Sequence, residues 1–389
     1  MHKGERVVDI VFGWEDRSFK EKYSNDTIQI IFSSTKVVES IAMAMLVDRG
    51  LISYNDKISK YWPEFAQAGK QDVSLGDLMS HAGGVAGNFP RLLTSDDIKN
   101  DRDGKESPLA EILAETPLDE TCFRQKGTQG YHALSRGLFA RQIMRRVDPK
   151  KRSMDQFVRE EIVEPMNLDF RIGLTKEEDV ERNGKVQETP WWRGMFGMIP
   201  RFILPKWLTA PFFNDIFLND IEIKMMKSFG KEGSPGSNAV NRVFAGALNL
   251  ESWGRSAEWR HIESPSTHGY SNGQTLARIA QTMSNKGTDP WTGTKLMSEK
   301  TYEIATKFFP RQTDSVLLTN TKYSVGGFGT FEGYPEDCIG WGGAGGSLIQ
   351  WCPGSDVSIG YVMNYYSPHG IDWRGVKYLF EGLAIANNQ

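Results

Sequence analysis

Ser33-Ser34-Thr35-Lys36 places a hydroxyl and an amine three residues apart, directly before the apolar-periodic positions Val37, Val38, Ile41, Ala44 and Met45. Residues three apart share a helix face, so Ser33 and Lys36 can meet on a first turn. A serine hydroxyl becomes a strong nucleophile once a base takes its proton. Lysine can be that base only as the neutral amine, which requires burial or a neighbouring positive charge. A helix N-terminus adds partial positive charge and free N–H groups that suit an oxyanion. The same four residues also fit a helix cap, with Ser33 or Ser34 capping and Lys36 in solvent.

Two later stretches could complete such a site. Gly130-Tyr131-His132-Ala133 lies between a turn-rich segment and a helix. Tyr131 can relay a proton if a nearby lysine lowers its pKa. Gly340-Trp341-Gly342-Gly343-Ala344-Gly345-Gly346-Ser347 precedes a strand-like run, and glycines there let backbone approach a ligand closely. Taken singly, Tyr131 and Trp341 suit packed positions equally well.

The elements that must position these groups follow from periodicity. Val7 to Phe12 reads as a strand ending at Gly13, and 36–49 as a helix stopped by Gly50. Helical patterns follow at 73–80, 134–146, 153–163, 272–286 and 373–386. Two strand-like runs, 347–351 and 357–363, flank the hairpin signal Pro353-Gly354-Ser355-Asp356. Strands at both ends and helices between them predict an α+β protein whose sheet is built from both termini.

Composition narrows the class of protein. The 389 residues are 39% hydrophobic and 24% charged, with a formal net charge of −3. This is a globular balance without the concentrated basic surface that a nucleic-acid partner would need. Cys122, Cys338 and Cys352 have neither metal-ligand spacing nor an even count. They predict free thiols and a reducing, cytoplasmic setting. No histidine, His81 and His268 included, has convincing metal-ligand spacing, and no Gly-x-Ser-x-Gly elbow is present.

Ser-x-x-Lys, then Tyr131, then a glycine box before a strand resembles, in that order, the serine β-lactamase and penicillin-binding-protein superfamily. The resemblance is closest to class C β-lactamases and family VIII carboxylesterases. It extends through Leu51 to Phe65, Val73 to Val85 with His81, Pro165-Met166-Asn167-Leu168, and Tyr361-Val362-Met363-Asn364. It implies a β-lactamase/transpeptidase-like α+β fold forming one catalytic domain over 1–389. An α/β lobe would span roughly 1–55 and 260–389, and a helical lobe roughly 56–259. Ser33 would be the acylated nucleophile, Lys36 its activator and Tyr131 the proton relay. The backbone N–H groups of Ser33 and Ala344 would form the oxyanion hole. Trp341, Gly342, Gly343 and His132 would line the substrate site. The substrate would be a small ester or acyl compound, and neither metal nor cofactor would be needed. Acyl transfer, peptidase activity or a non-catalytic scaffold on the same fold are the alternatives.

The departures from the family pattern refine this expectation. Ala133 stands where class C enzymes carry asparagine, and an alanine side chain cannot bond a substrate amide. Trp341 stands where a cation usually opens the third box, so a β-lactam or peptide carboxylate would find no partner there. The expected substrate is therefore a neutral ester. The aromatic, proline-broken segment 190–218 reads as an acyl wall, a membrane-touching patch or a core insert. Relatives usually carry an earlier helix and strand. The start at Met1 therefore reads as a late one, with a mitochondrial location the alternative if a targeting segment precedes it.

Overall fold

The computed structural model describes residues 1–187, 195, 199–205, 218–244, 256, 259–366 and 372–388. Ser33 follows directly on a small antiparallel sheet in which β3 (Gly269–Ser271) lies between β1 (Gln29–Ile30) and β2 (Phe170–Ile172). From this anchor the chain turns into α1 (Thr35–Asp48), in which Thr35 to Leu46 are all buried. A helix apolar on nearly every side belongs in the core. Gly50, in the left-handed region at φ 68, ends it. Helix α2 (Leu75–Met79) is closed by a Ser74–Asp77 capping box, and α3 (Ser135–Val147) packs along α1.

The larger sheet is an antiparallel meander in sequence order: β4 (Gln312–Thr313), β5 (Asn320–Tyr323), β6 (Gly329–Phe331), β7 (Ile339–Gly342), β8 (Leu348–Cys352) and β9 (Val357–Tyr361). The predicted hairpin is present, with Cys352 opposite Val357. Helix α4 (Gly273–Ser284) crosses β8 and β9, and α5 (Arg374–Ala386) closes the end of the sheet. Gly360 admits α4, since a Cβ there would stand 2.2 Å from the Ala277 nitrogen.

Two expectations are corrected here. Residues 7–12 form no strand. Val7, Val8, Ile10 and Phe12 are exposed, and the N-terminal share of the large sheet is a single bridge from His2 to Val357. Apolar residues crowd both faces of that run, so it would need cover on both sides to pair as a strand. The cysteines are not all free either. Ile339 pairs with Trp351, which sets Cys338 and Cys352 opposite one another, Cα atoms 4.1 Å apart and disulfide-bonded. Cys122 is free and buried. Most of the segment 190–218 lies outside the described residues; within it, Met195, Phe202 and Ile203 are exposed.

Candidate active site

Phe32 enters the left-handed region at φ 44, a costly conformation for a bulky residue, and the chain makes a tight turn there. Thr35 Oγ1 donates to the Phe32 carbonyl at 2.5 Å, and Gly269 N donates to Thr35 Oγ1 at 2.9 Å. The small sheet therefore holds the turn. Ser33 is left partly open in an otherwise buried run.

Lys36 is fully buried, with Nζ 3.3 Å from Ser33 Oγ, 2.7 Å from the Ala133 carbonyl and 3.0 Å from the Ser266 carbonyl. Burial, and then the Arg136 guanidinium, hold its pKa well below the usual ammonium range, against the opposing charge of Glu39. Tyr131 Oη donates to Ser33 Oγ at 2.7 Å. The helix-cap alternative fails, because Lys36 is not in solvent and neither serine makes a cap bond in the first turn. The condition set for a relaying tyrosine, a pKa lowered by a nearby lysine, is not met. Burial pushes Tyr131 up to about 12, outweighing its hydrogen bonds with Ser33 and Trp341. Tyr131 is therefore held as the neutral phenol beside Ser33, and the group with the depressed pKa is the Lys36 amine.

The third box is tied to the turn before Ser33. Ser347 Oγ donates to the Ile31 carbonyl at 2.6 Å and lies 3.0 Å from Ser34 Oγ. A Cβ on Gly343 would stand 2.2 Å from that carbonyl oxygen, and one on Gly342 would stand 2.3 Å from Tyr334 Oη. These glycines thus admit the protein's own atoms where a Cβ would stand, and Gly342 stays half-buried. The tie brings Ala344, in the short turn after β7, against the segment that carries Ser33.

Two expected contacts are corrected by burial. Trp341 is 1% exposed and lies behind the site, stacked on Tyr131 and Tyr323 and edge-on to Phe331. A large aromatic in the middle of a buried strand packs before it binds. The His132 ring is fully buried and spent on backbone. Nδ1 donates to the Gly130 carbonyl at 2.6 Å, and Nε2 accepts from Val85 N at 3.2 Å. Burial lowers its pKa to about 4, so it stays neutral. His268 is also buried, with a pKa lowered to about 3.

Sequence reading missed a buried network under the site. Arg136 Nε donates to Glu39 Oε1 at 2.9 Å, and both side chains are fully buried. Arg136 Nη2 reaches the Lys36 carbonyl at 3.1 Å, and Ser266 Oγ donates to Glu39 Oε2 at 2.7 Å. A lone acid in the apolar run of α1, and an arginine among the apolar positions of α3, were the available signals. Asp314 was missed as well. It accepts from Tyr131 N at 3.0 Å and from Tyr323 Oη at 3.0 Å, and burial raises its pKa to about 6.

This arrangement defines a Ser-Lys-Tyr site on an α+β fold. The beta-lactamase family profile matches residues 1–376, and the chain belongs to that family. It is 27% identical to the esterase/beta-lactamase LipL of Mycobacterium tuberculosis over 364 residues, covering 93% of this chain and 75% of LipL. A penicillin-binding-protein homologue from Caulobacter crescentus superposes with a TM-score of 0.74 at 29% identity, covering 99% of this chain and 91% of that one. A family VIII carboxylesterase superposes with a TM-score of 0.77 at 25% identity, over 99% and 90% of the two chains.

Proposed function

We propose that the protein is a serine hydrolase that cleaves small neutral carboxylic esters through an acyl-Ser33 intermediate. The observation that carries this reading is the placement of Ser33 Oγ between Lys36 Nζ at 3.3 Å and Tyr131 Oη at 2.7 Å. The neutral Lys36 amine takes the Ser33 proton as Oγ attacks the ester carbonyl. The N–H groups of Ser33 and Ala344 receive the oxyanion. As the tetrahedral intermediate collapses, Tyr131 gives its proton to the departing alkoxide and regains one from the Lys36 ammonium. Water then attacks acyl-Ser33 by the same route in reverse, and the acid leaves. Likeness to an esterase/beta-lactamase and to a family VIII carboxylesterase supports the substrate class.

Charge supports a neutral acyl group. Residues 341 to 347 carry no cation, so a substrate carboxylate would be desolvated there without a partner. The test is hydrolysis of a p-nitrophenyl ester series, short to long acyl, by the wild type and Ser33→Ala. Turnover lost in a folded variant supports the reading; equal turnover in both proteins, or none in the wild type, contradicts it.

A further inference from the structure

We propose that Arg136 is a positioning residue of the reaction: from α3 it fixes the Lys36 turn through the Lys36 carbonyl and sets a permanent positive charge beneath Lys36 and Tyr131. This rests on the ester-hydrolase reading and extends it to a residue outside the Ser-Lys-Tyr set.

Geometry carries the proposal. The guanidinium is fully buried, yet only part of it serves its carboxylate partner. Nε goes to Glu39, while Nη1 donates to the Gly327 carbonyl at 2.8 Å and the Met79 carbonyl at 3.1 Å. Nη2 takes the Lys36 carbonyl at 3.1 Å and Ser40 Oγ at 3.2 Å. One side chain therefore joins α1, the end of α2, α3 and the turn before β6. Its Cζ also lies 5.3 Å from the Trp341 ring centroid, a cation–π distance. Trp341 stacks on Tyr131 in turn. A buried ion pair is weak support for stability, because desolving both ions offsets most of their attraction. A planar cation with a fixed place at the catalytic lysine has a use beyond stability.

Among the described residues, the other groups facing Lys36 do not supply that charge. They are Glu39 on α1 itself, Tyr131 and His132 before α3, and His81 after α2. Burial keeps both imidazoles and the phenol neutral through the working range. The charges at issue are thus Arg136 and Glu39, which act on Lys36 in opposite senses. Asp314, on the far side of Tyr131, ionises at about 6.

The test is the pH profile of kcat/KM for a p-nitrophenyl ester, using wild type, Glu39→Gln, Arg136→Met and Arg136→Lys, each checked for folding by thermal melt. Glu39→Gln removes the charge that favours the ammonium, so its acid limb moves to lower pH. Arg136→Met moves the limb to higher pH, lowering kcat/KM at pH 7 by about tenfold or more, with recovery as pH rises. Arg136→Lys retains the charge and loses the fork, so kcat falls and the limb stays. If Arg136→Met does not fold, Arg136→Lys decides the matter: a wild-type kcat there overturns the role. Repeating the series with Asp314→Asn removes a second ionisation near neutrality. An active wild type whose limb stays in place in Arg136→Met overturns the Arg136 role alone. A wild type without ester turnover overturns the hydrolase reading and this role with it.

Discussion

Tyr131 donates to Ser33 Oγ at 2.7 Å while its ring stacks on Trp341, ring centroids 5.9 Å apart. The phenol is thus aimed from behind by packing. Tyr131→Phe keeps that packing and removes the proton. The expected result is a loss of about 10²–10⁴ in kcat with an unchanged melting temperature. Steady-state kinetics and a thermal melt check it together, and a Tyr131→Phe enzyme of wild-type kcat would place the leaving-group proton elsewhere.

The pH dependence has a definite sign. Lys36 acts as the neutral amine, so kcat/KM rises as pH passes upward through its depressed pKa and falls below it. The unfolded chain holds that proton more tightly than the folded one, so this group's cost to stability is greatest at low pH and vanishes above its unfolded pKa. Tyr131, held at about 12, adds no alkaline decline in the ordinary assay range. An acid limb that survives in Lys36→Met would assign it to another group.

Asp314 gives the opposite sign. Its carboxyl is raised from 3.8 to about 6 by burial, so the folded state binds the proton more tightly. Its destabilising effect appears as pH rises from about 4 to about 6 and is absent below its unfolded pKa. Asp314→Asn imitates the protonated acid. Urea unfolding at several pH values is expected to shift in favour of the variant by roughly 2–3 kcal/mol between pH 4 and pH 7. Parallel stability curves for the two proteins would contradict this.

The disulfide is open to direct counting. With Cys338 and Cys352 joined and Cys122 free, one thiol is expected to react in denaturant without reductant, and three after reduction. Three before reduction would mean the pair is unbonded. A bonded pair would point to an oxidising compartment, since the cytoplasmic expectation rested on free thiols.

What the sequence made legible was mainly local. Apolar periodicity placed the helix at 36–49, within a residue of the observed Thr35–Asp48, and turn chemistry located the β8–β9 hairpin. Ser33, Lys36 and Tyr131 stood out because their types and order carry chemistry. The remainder depends on distant pairing. Glu39 and Arg136 lie 97 residues apart, and neither signals the other along the chain. The Cys338–Cys352 pairing needs the β7–β8 register. The family resemblance puts Trp341 at the substrate, and His132 adjoins Tyr131; only the packed fold turns both inward. The left-handed Phe32 leaves no mark in the sequence at all, since nothing about phenylalanine favours it.

The most direct test is covalent. The purified protein is treated with a fluorophosphonate, weighed intact, and the adduct is mapped by peptide mass spectrometry. One adduct per chain on Ser33, greatly slowed in Lys36→Met, is the predicted result. No adduct, or an adduct on a serine other than Ser33, would contradict the acyl-serine mechanism.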